Sequence, residues 1–173
     1  MAHLVTLIAG DGIGPEVAEA AERVLAATGV GIEWERVELS GDRIRKTGES
    51  LPADVVASIE KTKVGLKGPV TTPVGGGFQS VNVALRKKLD LYANVRPVKS
   101  MPGIHTRFDD VALDMMIFRE NTEDLYSGIE HEVVPDVITS IKVITRTAST
   151  RIARAAFVYG SRHLRKRVTA IHK

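Results

Sequence analysis

Five polar residues have the types and spacing needed to bind a small acid with several carboxylates. Ser80 opens a predicted helix, where its hydroxyl and the free backbone N–H groups favour an anion. Asn82 and Arg86 lie four residues apart on that helix and therefore share a face. Arg96 and Arg119 stand at the carboxyl ends of predicted strands, where α/β folds bind ligands. Because the arginine fork matches a carboxylate, the set predicts a site for two or three carboxylates.

Each of these residues taken singly has a structural alternative. Ser80 would serve equally well as an N-capping serine, and Arg86 as a solvated arginine. Only the combination with the arginines at the strand ends favours a binding site.

A tyrosine follows one of these arginines closely. Tyr126 falls in a predicted polar turn, residues 119–127, after a buried strand. A tyrosine in such a turn acts as a proton donor when a cation lies nearby. The alternative is a ring that packs at the edge of a domain.

Acidic and histidine side chains do not indicate a metal site. Asp109 and Asp110 precede a predicted strand and Asp114 falls within it, so we interpret all three as solvated edge residues. The five histidines lack the spacing of metal ligands, and the absence of cysteine excludes thiolate ligands, thiolate nucleophiles and disulfides. We therefore expect no metal ligands in this chain.

The glycines near the amino terminus predict a shaped loop. Gly10, Gly12 and Gly14 superficially resemble a dinucleotide fingerprint, but Pro15 stands near the place of its last glycine. A tight strand-to-helix turn is the better interpretation, since Pro15 suits the first position of a helix.

Apolar spacing supplies the elements that would position these residues. Strands are predicted at residues 4–9, 32–39, 64–67, 91–95, 111–118, 137–146 and 168–172. Helices are predicted at 15–27, 52–62, 80–89 and 147–165, with a short helix or loop at 41–47. The first helix is expected to bury Val17, Ala20, Ala21, Val24 and Leu25, and the 80–89 helix Val81, Leu85 and Leu89. Alternating strands and helices predict an α/β fold with at least partly parallel pairing.

Charge is distributed unevenly. Residues up to Asp136 hold 15 Lys and Arg against 21 acids, and the rest hold nine against none, which gives formal charges of −6 and +9. Such a basic segment would suit nucleic acid. We favour the outward faces of a helix and a strand, because apolar residues recur among the arginines at helical spacing.

The composition is that of a globular protein, with 43% hydrophobic and 26% charged residues. The amino terminus lacks the pattern of a signal peptide, and no apolar run reaches the ~18 residues of a membrane span. These features predict a cytoplasmic protein that binds neither membrane nor nucleic acid.

Several motifs together resemble one family. They are the segments 10–16 (GDGIGPE), 67–77 (KGPVTTPVGGG), 80–86 (SVNVALR), 90–97 (DLYANVRP) and 118–130 (FRENTEDLYSGIE). They resemble the β-decarboxylating dehydrogenases of 2-hydroxy acids, which comprise isocitrate, isopropylmalate, homoisocitrate and tartrate dehydrogenases. The resemblance covers essentially the whole chain and is closest to the isocitrate branch.

The resemblance implies an architecture. It is the isocitrate/isopropylmalate dehydrogenase-like fold, a mixed sheet with helices on both faces. Residues 1–97 would form the amino-terminal part of the large α/β domain, and residues 98–173 part of the small or dimerisation domain. Since the family's chains are longer, we expect this chain to be an amino-terminal portion, truncated before the rest of the site.

The resemblance also implies roles for individual residues. Ser80, Asn82, Arg86, Arg96 and Arg119 would bind the substrate carboxylates. Tyr126 would reprotonate the enol after CO₂ leaves, and Lys173 would assist proton removal from the substrate hydroxyl. Thr72 would lie near the nicotinamide of the cofactor and Ile13 near its adenine side.

The implied reaction is oxidative decarboxylation of isocitrate to 2-oxoglutarate. The cofactors would be NAD or NADP, with NAD favoured, and Mg²⁺ or Mn²⁺ held by residues beyond position 173. The partner would be a second copy or a chain that supplies the missing half. Alone, the 173 residues are expected to be inactive. The alternatives are a homoisocitrate, isopropylmalate or tartrate dehydrogenase, or an inactive subunit that binds a partner.

The isocitrate branch is favoured by polarity. An isopropylmalate enzyme must bury an alkyl group and would favour apolar side chains where Ser80 and Asn82 stand. A hydroxyl and an amide suit a third carboxylate instead.

Overall fold

A computed structural model of the protein describes residues 2–71 and 80–172. Two of the residues singled out above, Thr72 and Lys173, lie outside this part of the chain. The chain divides into two compact units, Met1–Leu89 and Asp90–Lys173, each with its own sheets.

The first unit is built on a parallel sheet of three strands. The middle strand, β1 (His3–Ile8), pairs with β2 (Ile32–Arg36) on one side and with β3 (Gly65–Lys67) on the other. The helices of this unit are α1 (Gly14–Ala27), α2 (Gly41–Thr47), α3 (Ala53–Thr62) and α4 (Val81–Lys88). Parallel strands require crossover connections, which α1 provides between β1 and β2, and α2 with α3 between β2 and β3. The predicted α/β class is confirmed.

One apolar cluster joins β1 to α2, α3 and α4. Its buried members are Ile8, Leu39, Ile44, Val55, Val81 and Leu85. The predicted buried face of α4 is confirmed, because Val81 and Leu85 are in the cluster and Leu89 packs against it. This packing fixes the rotation of α4, and with it the face on which Asn82 and Arg86 lie.

The predicted buried face of α1 is right only in part, since Ala21 and Leu25 are half-buried but the other three residues are exposed. Val17 and Val24 are exposed, Val24 to 67%, whereas Gly14 and Ala18 are buried. A Cβ at position 14 would lie only 2.3 Å from the carbonyl oxygen of Ala9. The helix therefore approaches the preceding strand through its smallest residues, a contact that hydrophobic periodicity does not detect.

The second unit consists of two antiparallel strand pairs and one long helix. β4 (Ala93–Lys99) pairs with β5 (Asp114–Glu120), and β6 (Asp124–Val134) pairs with β7 (Val137–Val143). α5 (Arg146–Arg162) packs on β5, where the ring centroids of Tyr159 and Phe118 are 5.3 Å apart. The interpretation of the basic segment as a helix is thereby confirmed.

The β6–β7 pair is a ribbon with much apolar surface in solvent. Its exposed apolar residues are Leu125, Ile129, Val133, Val134, Val137, Ile138 and Ile141. Among the described residues each of its strands has a single neighbour, so each also has an unpaired edge.

The strand predicted at 91–95 is longer than its sequence suggests. It continues through Pro97, which lies opposite Met116 in the register of β4 and β5. A proline is tolerated there because, in a two-stranded sheet, its missing N–H faces the unpaired edge. Since β4 pairs with β5, Pro97 lies in the second of the two compact units, which meet at Leu89 and Asp90. The domain boundary at residue 97 stays a prediction. The identity of the units as parts of a large and a small domain stays a prediction.

Two further expectations near the carboxyl terminus are wrong. Residues 119–127 are not one polar turn: Arg119 lies in β5, Tyr126 lies in β6, and the turn is confined to residues 121–123. Pairing with β4 and β7 extends both strands into the segment. Residues 168–172 form no strand, because no described strand lies beside them to accept their backbone hydrogen bonds.

No helix in the described part of the chain combines the length and apolar character needed to cross a membrane.

The apolar cluster leads to a stability prediction. Ile44→Ala removes a fully buried side chain and should lower the free energy of unfolding by about 2–5 kcal/mol. The control is Val24→Ala on the exposed face of α1, which should change it by less than about 0.5 kcal/mol. Urea unfolding of both variants measures the difference, and equal effects would mean that the cluster is not the core of this unit.

Candidate active site

Arg96 and Arg119 lie on the same face of the β4–β5 pair. In the observed register Asn94 is opposite Arg119, and Arg96 is opposite Ile117. Opposite residues of an antiparallel pair share a face, as do residues two apart in one strand. The helix α5 covers the other face, against Phe118. Both arginines are exposed on the uncovered face, and Nε of Arg96 donates a hydrogen bond of 2.9 Å to Oδ1 of Asn94.

Arg119 is in direct contact with Tyr126. Its Nη2 donates a hydrogen bond of 2.9 Å to the Tyr126 hydroxyl, and its guanidinium carbon lies 5.5 Å from the ring centroid. Because the phenol oxygen accepts this hydrogen bond, its O–H remains available to donate to another group. The pair therefore combines a cation for a carboxylate with a proton donor.

The helix α4 presents the other predicted group. Ser80 occupies its N-cap position, but the serine hydroxyl makes no capping hydrogen bond, so the capping alternative does not account for it. Asn82 is exposed and Arg86 half-buried, and their spacing on the observed helix confirms that they share a face.

Lys67 is a cation that the sequence analysis did not single out. It is the last residue of β3, and its Nζ donates a hydrogen bond of 2.8 Å to the carbonyl oxygen of Gly68. Burial, and then the positive charge of Arg86, lower the pKa of Lys67, while Asp11 opposes the effect. Its place at the carboxyl end of a predicted strand was the available signal.

The loop that contains Gly10, Gly12 and Gly14, here called the glycine loop, is attached to two other segments by the carboxylate of Asp11. It accepts hydrogen bonds from the backbone N–H of Gly41 at 2.6 Å, and from the N–H and hydroxyl of Thr71 at 2.9 and 2.7 Å. The bond from Gly41 and then that from the Thr71 hydroxyl hold the pKa of Asp11 below its ordinary value. Gly10 has φ +81°, and a Cβ there would lie 1.7 Å from the carbonyl oxygen of Pro69. The predicted tight strand-to-helix turn is confirmed.

The structure places the predicted carboxylate-binding residues and Tyr126 in two groups. The group in the second unit consists of Arg96, Arg119 and Tyr126. The group in the first unit consists of Ser80 at the N-cap of α4, and Asn82 and Arg86 within this helix. The convergence of the two groups around one ligand stays a prediction, as does the role of each residue.

The other predicted site residues are less informative. Ile13 occupies the N-cap of α1 and is 66% exposed, so its side chain is open to a ligand. Thr72 and Lys173 lie outside the described residues.

A groove of about 450 Å³ beside β2 contains none of these residues. Four of its charged side chains already pair with one another: Arg43 contacts Asp54 at 2.7 Å, and Lys61 contacts Glu35. Paired charges leave little for a ligand, so we do not place the active site there.

The described acidic and histidine side chains form no cluster that could hold a metal ion, and two of the aspartates discussed above have other partners. No three His, Cys, Asp or Glu side chains among residues 2–71 and 80–172 are grouped so as to hold an ion. Asp109 contacts the His105 ring at 2.9 Å, and Asp114 pairs with Arg165 at 2.8 Å.

Comparison with known proteins identifies the family. The sequence model described as isocitrate/isopropylmalate dehydrogenase matches residues 4–173. The chain belongs to this family. A crystal structure of isocitrate dehydrogenase from Methylococcus capsulatus superposes with a TM-score of 0.86 at 47% identity, covering 95% of this chain and 49% of that one. The isocitrate dehydrogenase-like fold is therefore confirmed, although parallel and antiparallel pairing occur in separate sheets of the described chain.

Curated relatives cover several named activities. A mitochondrial NAD isocitrate dehydrogenase catalytic subunit of Arabidopsis thaliana is 52% identical over 97% of this chain and 44% of its own length. A mitochondrial regulatory subunit of the same enzyme from Dictyostelium discoideum is 52% identical over 98% of this chain and 46% of its own. A chloroplastic 3-isopropylmalate dehydrogenase of Solanum tuberosum is 50% identical over 97% of this chain and 46% of its own length. This chain thus spans somewhat less than half the length of these relatives, and overall identity does not separate the branches.

The names of these relatives correct one expectation. The isocitrate dehydrogenase subunits among them are mitochondrial, which contradicts the prediction of a cytoplasmic protein. That prediction rested on the absence of targeting features, which does not report on compartment by itself. The same names describe subunits of an enzyme, both catalytic and regulatory.

The glycine loop gives a matched pair of variants. Gly12→Ala should cost about 1–2 kcal/mol of stability, because φ is +58° but no described atom lies within 4 Å of a Cβ there. Gly10→Ala should cost clearly more, since its Cβ would meet the Pro69 carbonyl. Urea unfolding compares them, and equal losses would show that the loop does not pack as described.

Asp11 predicts a pH dependence of stability. Because folding lowers the Asp11 pKa, its contribution is fully present above the ordinary value of about 3.9 and is lost as the pH falls through the lower folded value. Asp11→Asn, which turns an N–H₂ group towards donors, should be less stable than the wild type at pH 7, and the gap should narrow below about pH 4. Asp110→Asn, at an exposed position, is the control and should show no such gap. A constant gap would contradict the assignment.

Proposed function

We propose that this chain supplies the carboxylate-binding part and the proton donor of an isocitrate dehydrogenase site. The observation that supports this most directly is the hydrogen bond from Arg119 to the Tyr126 hydroxyl, on the face that Arg119 shares with Arg96. An anchor for a carboxylate and an acid for the reacting carbon are needed side by side in oxidative decarboxylation.

The charge state of the arginines supports a ligand site. Among the described residues Arg36, Arg43, Arg45, Arg151 and Arg165 pair with acids. The three arginines proposed to bind substrate, Arg86, Arg96 and Arg119, form no ion pair with a described acid. Unpaired guanidinium groups on one site are what an anionic substrate requires.

The proposed reaction assigns each step to a residue. Arg86, Arg96 and Arg119, with Ser80 and Asn82, bind the three carboxylates of isocitrate. Lys173 would assist loss of the proton from the substrate hydroxyl oxygen, and the nicotinamide, when bound, would accept hydride from the carbon that bears this hydroxyl. The oxidised intermediate then loses CO₂, and Tyr126 gives a proton to the resulting enol carbon.

The cofactor in this proposal is NAD, which the names of the isocitrate dehydrogenase relatives include. Thr72 and Ile13 would contact it, with NADP as the alternative. A divalent metal, Mg²⁺ or Mn²⁺, would stabilise the enolate when bound. The described residues offer no metal cluster, so its ligands would come from outside them, and we assign no step of this chain to it.

The second candidate substrate is 3-isopropylmalate, because the relative from Solanum tuberosum is named as a 3-isopropylmalate dehydrogenase. Against it, Ser80 and Asn82 place a hydroxyl and an amide at the start of α4, and the serine is not occupied in capping the helix. These polar groups suit a third carboxylate better than an alkyl group.

Assembly with another chain is part of the proposal. The relatives are named as catalytic and regulatory subunits, which supports association with further subunits. The family resemblance places the lysine in the partner's site, so a complete site would need a second chain, either another copy or a different subunit.

Isocitrate binding tests the site. Isocitrate titrated into the chain by calorimetry should bind, and Arg119→Gln should weaken binding about ten- to hundred-fold, the loss of one charge-assisted hydrogen bond. Arg154→Gln, at an exposed position on α5, should bind as the wild type does. Absence of binding, or tighter binding of 3-isopropylmalate, would sink the isocitrate assignment.

Turnover tests the incompleteness of the site. Since the chain spans less than half of its relatives, it should not oxidise isocitrate by itself with NAD and Mg²⁺. Addition of a chain that supplies the remaining length should produce NADH, and Tyr126→Phe should abolish most of that signal. NADH formation by the chain alone would contradict the proposal.

A further inference from the structure

The contact between Arg119 and Tyr126 is not fixed by a sheet. Arg119 lies in β5, which pairs with β4, and Tyr126 lies in β6, which pairs with β7. Among the described residues no backbone ladder connects β5 to β6. The distance between the two side chains therefore depends on the turn of residues 121–123 that joins these strands.

Glu120 holds this turn from within. Its carboxylate accepts hydrogen bonds from the N–H and hydroxyl of Thr122 at 2.9 and 2.6 Å, and from the N–H of Glu123 at 2.8 Å. Burial raises the pKa of Glu120, but these hydrogen bonds, that of the Thr122 hydroxyl first, lower it by more. The turn is thus wrapped around an ionised carboxylate.

Arg151 holds the same turn from outside. It projects from α5, and its Nη2 donates a hydrogen bond of 2.9 Å to the Thr122 hydroxyl. Since that hydroxyl in turn donates to Glu120, the three side chains form one chain of hydrogen bonds, each of which strengthens the next. Nη2 also lies 3.9 Å from a Glu120 oxygen.

The guanidinium of Arg151 has two further partners. Its Nη1 contacts both carboxylate oxygens of Asp90 at 2.8 and 2.9 Å, and its Cζ lies 4.6 Å from the ring centroid of Tyr92. The edges of the guanidinium contact a carboxylate and a hydroxyl, while its plane lies against an aromatic ring. A lysine ammonium group cannot make this combination of contacts.

The beginning of α5 provides a second attachment. Glu123 accepts hydrogen bonds from the N–H and hydroxyl of Thr145 at 2.8 and 2.6 Å, and Thr145 caps the helix at Ala148. The turn is therefore attached to α5 at its first turn and again at Arg151, on the side of the β4–β5 pair that faces away from Arg119.

We propose that Arg151 is a positioning residue that sets the contact between Arg119 and Tyr126 through the Thr122–Glu120 turn. The inference rests on the proposed function, in which that contact joins the substrate anchor to the proton donor. Arg151 does not touch the substrate in this scheme and acts from the opposite face of the strands.

The test follows the ring signals of Tyr126 by NMR in the 173-residue chain with labelled tyrosine, assigned with Tyr126→Phe. Arg119→Gln removes the donor directly and defines the signal of a broken contact. Arg151→Gln should shift the Tyr126 signal towards that position, and Arg151→Lys should do so while retaining charge, because lysine lacks the fork. Arg154→Gln, the control with the same change of charge on α5, should leave the signal in place.

A double variant separates positioning from general stability. If Arg151 acts through Arg119, Arg119→Gln combined with Arg151→Gln should give the Tyr126 signal of Arg119→Gln alone. The signal of Tyr159, which packs against Phe118, reports whether α5 still lies on β5. Where Arg151→Gln loses the Tyr159 signal through unfolding, Arg151→Lys takes its place in the comparison.

An unchanged Tyr126 signal in Arg151→Gln and Arg151→Lys, or additive shifts in the double variant, would overturn the proposal and leave Arg151 a structural residue. Isocitrate binding is measured separately. A shifted Tyr126 signal in a chain that does not bind isocitrate would support the positioning of the pair and count against the proposed function alone.

Discussion

The arrangement of the second unit depends on one constraint: two strands from different sheets must bring an arginine and a tyrosine within hydrogen-bonding distance. A ladder would do this through regular pairing, but β5 and β6 share none among the described residues. Instead, side-chain contacts of the turn between β5 and β6 set the distance. The Glu120 carboxylate accepts a hydrogen bond from Thr122 within the turn, and the Arg151 guanidinium donates one to Thr122 from α5. Local precision at Arg119 and Tyr126 thus comes from half-buried polar contacts, which are directional, rather than from apolar packing.

The arginines of this chain differ in their acid partners, and the proposed function assigns a role to three of those without one. Arg151 and Arg165 neutralise Asp90 and Asp114 within the second unit, so part of the basic segment is balanced by acids of the same chain. The arginines of the candidate site have no such acid among the described residues. An arginine whose fork already contacts an acid has less to offer an anionic ligand than one whose fork has no such contact.

Sequence alone predicted the parts that follow from regular spacing and local chemistry. The buried stripe of α4 has the four-residue spacing that is typical of a helix, and the shared face of Asn82 and Arg86 follows from it. The face of α1 was missed because Gly14 and Ala18 pack by being small, and β4 was cut short because a proline usually ends a strand. Nothing local in the sequence distinguishes a polar strand end from a polar turn, so Tyr126 was placed in the wrong element. The role of Arg151 depends on contacts between residues far apart in the chain, which no motif records.

The β6–β7 ribbon has a consequence for how the protein behaves in water. Its apolar side chains leave much of their surface in water, and each strand has a row of backbone donors and acceptors along one side. Such a surface favours association with extended chains and apolar faces. We therefore expect association of the protein to increase with its concentration. The ribbon costs the chain colloidal stability unless something covers it.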